Sequence, residues 1–296
     1  MTRNAFDMLL LYLESKQVLT QRELADNMNL SLGSVNKTVK QLTEEELVCN
    51  GQITAKGIEA LEPYRVKRAI FLAAGFGSRM VPLTFNTPKP LVRVHGTRMI
   101  DTLLDAVVAV GIEEIYIVRG YLGEQFDQLL YKYPMVKFIE NPFYNEANNI
   151  SSAMCVRYLL QNAYVLEADL VLSNPKIIRK YEYCSNFLGI PVETTDDWCV
   201  CADSNGVITE IAVGGTNCHQ MSGISYWDAE AGAKLANDIE EVYRAPGGKE
   251  RYWDQVPFVY KKENYKVFVR ECQRSDIVEI DTYNELKKID KLYAGT

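Results

Sequence analysis

Residues 72–91 read LAAGFGSRMVPLTFNTPKPL. They close a continuous apolar run, AIFLAAG over residues 69–75, of the kind shown by a strand buried on both faces of a parallel sheet. Two glycines, Gly75 and Gly77, then set a tight turn at the carboxyl end of that strand, where open α/β sheets bind ligands. Without side chains at these positions, backbone N–H groups can close around an anion. Arg79 follows as a bidentate partner for phosphate, and Lys89, held between Pro88 and Pro90, is a point charge on a stiffened loop. The spacing is not that of a Walker A loop, and it lacks the third glycine of the dinucleotide-binding fingerprint. A phosphate-bearing ligand is expected, held in an unfamiliar cradle.

Downstream, short apolar runs alternate with helical periodicity. Ile100, Leu103, Leu104, Val107 and Val108 mark a helix, IEEIYIVRG a strand and EQFDQLLYKY another helix. VKFIEN and AYVLEADLVL read as strands with the helix NNISSAMCVRYLLQ between them. A hairpin turns at residues 203–206, YKVFVREC and IVEID complete the sheet, and TYNELKKIDKLY closes the chain as a helix. The fold class is therefore α/β with a mixed, mostly parallel sheet. Asp169 and Asp281 each end a strand and so fall in the crevice; Glu167 and Glu279, two residues earlier, share their faces.

Upstream the pattern differs. Phe6, Leu9, Leu10 and Leu13 line one helical face, Thr20 and Glu23 form a capping box, and Ser31 opens a helix carrying Val35, Val39 and Leu42. Asn50-Gly51 predicts a two-residue hairpin, and a last helix ends near Pro63. This is a helix-turn-helix with a small wing, similar to the winged-helix domains of bacterial regulators. The expected division is a winged module over residues 1–64 and a second domain over residues 65–296. Residues 1–66 hold seven basic residues, Lys16 among them, against nine acidic ones. Only Lys37 and Lys40 could serve phosphates from the second helix, which ends in Glu44-Glu45-Glu46. Docking or dimerisation, a homodimer included, is therefore expected ahead of DNA binding.

The whole chain carries a net charge of −7, which disfavours nucleic acid as its main partner. Its seven cysteines include no CxxC, so they read as small hydrophobes in a reducing compartment. A zinc site using Cys199, Cys201 or Cys218 beside His219 is the competing reading. With no long apolar run and no signal-like N-terminus, a cytoplasmic soluble protein is expected.

The motif L-A-A-G-x-G-S-R-x-x-P-L-T followed by T-P-K-P-L-V resembles the opening signature of the nucleotidyltransferases that make sugar-nucleotides and CDP-alcohols. GYLGEQF, EADL, SGISYWD, RYWD and EID extend the resemblance over residues 68–296, most closely to bacterial CTP:phosphocholine cytidylyltransferases. It implies a Rossmann-like domain that binds CTP against Leu72, Ala73, Ala74, Gly75, Gly77, Ser78 and Arg79, with the base near Gly120 and Tyr121. It implies Mg²⁺ on Asp169 and Asp281, Arg79 on the β- and γ-phosphates, and Lys89 on the attacking or α-phosphate. The family usually lacks a winged-helix head.

For the acceptor, Trp198, Trp227, Tyr252 and Trp253 with Asp197 and Asp254 offer a cage for a quaternary ammonium, which favours phosphocholine. Phosphoethanolamine or 2-aminoethylphosphonate would instead need acceptors such as Asp197, Asp254 or Glu146. A sugar 1-phosphate is a further alternative, and a nucleotide-sensing DNA-binding regulator is the reading from another class.

Overall fold

The computed structural model describes residues 1–15 and 17–294; Lys16 and the last two residues, Gly295 and Thr296, lie outside the described residues. The chain divides into two compact units, Met1–Arg65 and the residues from Val66 onward.

The first unit is a winged helix-turn-helix. Helices α1 (Arg3–Glu14), α2 (Gln21–Met28) and α3 (Leu32–Glu44) bury Phe6, Leu9, Leu24, Val35 and Leu42 among themselves. Thr20 and Glu23 close α2 reciprocally: the Glu23 N–H donates to Thr20 Oγ1 and the Thr20 N–H to Glu23 Oε2. Strands β1 (Val48–Cys49) and β2 (Gln52–Ile53) form the wing, turning at Asn50 and Gly51, whose φ values of 50° and 72° suit that dipeptide. Helix α4 (Ala55–Leu61) completes the unit.

The second unit opens with β3 (Arg68–Leu72), whose Ile70, Phe71 and Leu72 are buried on alternate faces, as the unbroken apolar run requires. The hairpin β4 (Arg93–Val94) and β5 (Thr97–Arg98) leads into α5 (Met99–Ala109). Then follow β6 (Glu114–Arg119), β7 (Val136–Glu140), α6 (Ile150–Val156), β8 (Ala163–Glu167) and β9 (Leu170–Leu172). The long strands β10 (Asn186–Ala202) and β11 (Ile208–Trp227), α7 (Ala229–Arg244), β12 (Phe268–Glu271), β13 (Ile277–Glu279) and α8 (Tyr283–Ile289) complete it.

Seven strands form one sheet in the order β12-β10-β11-β8-β3-β6-β7. Four of its six strand pairs are parallel, and the antiparallel pairs are those made by β11. The chain leaves β3 toward β6 and β7 and returns on the other side at β8. The carboxyl end of β3 is therefore the point where strand order switches, and a crevice opens there. One core packs Phe71, Leu103, Leu104, Ile117 and Leu166; the other packs Ile70, Val118, Ile150, Trp227 and Trp253.

Four sequence expectations change. AYVLEADLVL is two strands broken at Ala168-Asp169, not one. IVEID does not join the main sheet: β13 pairs antiparallel with β9, Leu170 opposite Glu279, as a separate ribbon. EQFDQLLYKY, residues 124–133, overlaps a 3₁₀ helix, Gly123–Tyr131, rather than an α-helix. The hairpin around residues 203–206 is far longer than its turn signal revealed, at 17 and 20 residues per strand.

Candidate active site

Gly77 carries the bend after β3. Its φ is +68°, and a Cβ there would lie 3.0 Å from Lys89 Cβ and 3.2 Å from Thr84 Cγ2. Only glycine satisfies both the backbone and the contact. Gly75 is different, since a Cβ there would meet no protein atom within 4 Å. Its neighbouring space is free for a ligand. The Ala73 N–H donates to Val118 O at 2.9 Å and the Tyr121 N–H to Ala74 O at 3.0 Å, which fixes the loop on β6 and the turn that follows it.

Lys89 is buried, yet its ammonium donates to Asp169 Oδ2 at 2.6 Å and to Asp281 Oδ1 at 2.9 Å. Burial would lower its pKa, but the two carboxylates more than reverse that, and the net shift is upward. Arg79 Nη1 reaches Asp281 Oδ2 at 2.8 Å while two-thirds of its side chain stays exposed, so it can turn toward an anion. The ribbon β9–β13 brings the two aspartates together, and the Ile280 N–H donates to Asp169 O at 3.2 Å. Glu279 joins them: oxygens of Asp169, Glu279 and Asp281 all lie within 4.8 Å of one another. Asp169 Oδ1 is buried without a hydrogen-bond partner. An oxygen-only donor set with an unsatisfied buried carboxylate oxygen fits a hard divalent cation. The cysteines and His219 form no comparable cluster among the described residues, and His219 pairs with Glu271 instead.

Two further carboxyls crowd this centre. Burial, reinforced by the negative charge of Asp169, Asp254 and Glu279, drives Glu167 well above the carboxylate range. Burial alone raises Asp254 to about 6. Asn149 links both sides, donating to Glu167 Oε1 at 3.3 Å and accepting the Trp253 N–H at 2.9 Å.

The cleft has a volume of about 310 Å³ and is lined by Leu72–Gly75, Gly77–Arg79, Lys89, Pro90, Glu167–Asp169 and Asp281. Its remaining wall consists of Asn141, Tyr144, Ala147, Asn148, Asn149, Ser151 and Ser152. Sequence reasoning missed this wall; its signal was the neutral hydrogen-bonding run NNISS, residues 148–152, which reads as the start of a helix.

Residues 69–238 match the MobA-like NTP transferase domain, and residues 7–48 match a winged helix-turn-helix DNA-binding domain. The chain belongs to the MobA-like NTP transferase family. It is a nucleotidyltransferase with a winged helix-turn-helix before its catalytic domain. The transferase is 38% identical over 228 residues to the 2-aminoethylphosphonate cytidylyltransferase of Lancefieldella rimae, covering 76% of this chain and 92% of that one. It is 32% identical to the choline-phosphate cytidylyltransferase of Streptococcus pneumoniae, over 76% of this chain and 97% of that one. The solved structure of the CTP:phosphocholine cytidylyltransferase from S. pneumoniae superposes with a TM-score of 0.71 at 34% identity, over 77% and 99% of the two chains.

Several sequence-derived positions in the transferase need correcting. Trp227 is fully buried, its Nε1 donates to Ser225 Oγ, and it packs edge-on against Trp253 at 5.9 Å. Trp253 is only 3% exposed. Neither offers a ring face to a ligand, because both fill the core between the sheet and α7. Trp198 and exposed Tyr252 pack on each other at 5.8 Å and line neither the cleft nor the cavity beside it. Gly120 and Tyr121 stand behind the cleft wall. Gly120 makes room for Tyr144, whose ring a Cβ would strike at 2.7 Å. Tyr121 donates to Thr84 O at 2.9 Å and so anchors the loop that carries Lys89.

Proposed function

We propose that this transferase moves CMP from CTP onto a small phosphorylated or phosphonylated amine and releases pyrophosphate. The observation that carries the reading is the junction of the glycine loop with two strand-end carboxylates bridged by one buried lysine. CTP rather than another nucleotide is chosen because cytidylyltransferases are among the relatives that match most of the chain.

The acceptor's phosphate or phosphonate oxygen is already anionic at neutral pH. It attacks the α-phosphorus, a P–O bond forms, the bond to the β-phosphate breaks, and pyrophosphate departs with the electron pair. No general base is needed, so catalysis reduces to alignment and charge neutralisation. Asp169 and Asp281, with Glu279 beside them, are the residues that would hold Mg²⁺, which supplies positive charge against the phosphates. Arg79 serves the outer phosphates of the nucleotide, and Lys89 the attacking or α-phosphate. The backbone from Leu72 to Ser78 closes on the nucleotide, while Asn141, Asn149 and Ser152 suit the base and ribose as neutral donors and acceptors.

The test is pyrophosphate release by the full chain with CTP and Mg²⁺, with amine acceptors and a hexose 1-phosphate supplied separately. Turnover is expected with an amine acceptor and is lost in Asp169→Ala and Asp281→Ala while circular dichroism is unchanged. A fully active double variant, or turnover with the sugar phosphate alone, overturns the reading.

A further inference from the structure

A second cavity, of about 190 Å³, borders the cleft and shares with it only Asp281. Its polar wall comes from two stretches of chain: Asp197, Gln220 and Ser222 from the long hairpin, and Arg274 from the loop after β12, Glu279 from β13 and Glu285 from α8. No aromatic side chain lines it. Asp197 is held at both oxygens. The Trp198 N–H donates to Oδ1 at 2.7 Å, and Gln220 Nε2 donates to Oδ2 at 3.0 Å. Gln220 is oriented in turn by Arg274, whose Nη2 donates to its Oε1 at 2.9 Å.

We propose that this cavity takes the amino end of the acceptor and is built for a primary ammonium. Asp197 is the accepting group, and Gln220 and Arg274 are positioning residues that hold it. The proposal rests on the cytidylyl-transfer reading above and specifies its acceptor. An acceptor whose anionic oxygen lies at the metal carboxylates meets Asp281 at the border of the two cavities, and a short tail passes from there into the second. Four acidic side chains, Asp197, Glu279, Asp281 and Glu285, line the cavity with one guanidinium that is already engaged with Gln220, so the cavity favours a cation. A primary ammonium carries three N–H donors that need acceptors, whereas a trimethylammonium has none and gains chiefly from aromatic faces. This wall supplies carboxylate and hydroxyl oxygens and no ring. Each methyl added to the nitrogen therefore removes a charge-assisted hydrogen bond and leaves an oxygen facing it unpaired.

The experiment uses the full chain with Mg²⁺ and CTP and measures pyrophosphate release with 2-aminoethylphosphonate, its N-methyl and N,N,N-trimethyl derivatives, phosphoethanolamine and phosphocholine. The value of kcat/KM is expected to fall with each methyl, by roughly 10- to 100-fold across the series. Asp197→Asn should raise KM for the primary amines about tenfold or more and that for phosphocholine by less, while KM for CTP stays unchanged. Gln220→Leu and Arg274→Met should move the same parameter in the same direction by less. A trimethylated acceptor used as well as the primary amine overturns the proposal, as does an Asp197→Asn effect equal on CTP and on every acceptor. Silence with all acceptors removes the cytidylyl-transfer reading itself, whereas a reversed preference removes only this proposal.

Discussion

Gly77 and Gly75, two positions apart in one loop, answer to different constraints. Gly77 is required by the protein, because its φ of +68° and its approach to Lys89 and Thr84 exclude a side chain. Gly77→Ala is expected to cost about 1–3 kcal/mol in stability and to lower kcat by displacing Lys89. Gly75 has open space where a Cβ would stand, so Gly75→Ala should alter stability by no more than about 0.5 kcal/mol while raising KM for CTP. Thermal melts paired with steady-state kinetics separate the two, and a Gly75→Ala chain with unaltered KM would refute the ligand's approach there. Asp254 adds a pH-dependent term. Burial raises its folded pKa to about 6, above the roughly 3.9 of an unfolded aspartate, so the ionised form is penalised in the fold. The penalty is absent below about pH 4, grows through pH 6 and persists above it. Because part of the side chain remains open to water, we expect about 1–2 kcal/mol rather than the full value of the shift. Asp254→Asn should therefore be more stable than the native chain by about that amount at pH 8 and by little at pH 4.5, as measured by urea unfolding. Equal differences at both pH values would contradict it. That Arg79, Lys89, Asp169 and Asp281 belong in one cleft was legible at this scale, because glycine turns, paired carboxylates and fixed cations are residue-type signals. The neighbours of the tryptophans were not. An adjacent acid marks where a strand or helix ends, as Asp228 does in capping α7, without saying which way the ring points.

Among the elements, the strands of the parallel half were readable from their composition because they are buried on both faces. The long hairpin was not, since β10 and β11 exchange faces through several register shifts and alternate between buried and exposed positions along their length. Trp227 closes β11 in the core, contacting Trp253, Phe258 and Tyr265 at ring separations of 5.9 to 6.4 Å. Trp227→Ala is expected to cost about 3–5 kcal/mol by leaving a cavity, with KM for CTP and for the acceptor unchanged in whatever fraction remains folded. A selective rise in acceptor KM would instead put the ring at the ligand. The β9–β13 ribbon is the element on which the site depends most, and neither strand announces it. Each is three residues long and finds its partner about a hundred residues away.

At the scale of the molecule, two units with separate cores occupy one chain. The first has the shape of a DNA reader with the charge of something else, seven basic residues against nine acidic ones up to residue 66. We expect a dissociation constant weaker than about 10⁻⁴ M for mixed-sequence duplex DNA at 150 mM salt, measured by anisotropy on the full chain. We also expect a chain beginning at Val66 to keep its turnover within about twofold. Tight binding to duplex would reverse the reading of the winged module, and loss of turnover would tie it to catalysis. The sequence by itself determined the winged helix-turn-helix, the α/β class, the glycine loop after the first strand of the sheet and the carboxylates at strand ends. These depend on local backbone geometry and on the period of apolar residues, which short stretches of chain encode. Only the tertiary structure decided that Asp169 and Asp281 meet on one lysine, that two tryptophans belong to the core, and that Asp197, Gln220 and Arg274 border one cavity. Those are contacts between residues about twenty to two hundred positions apart, formed by packing whole faces together, and no local signal carries them.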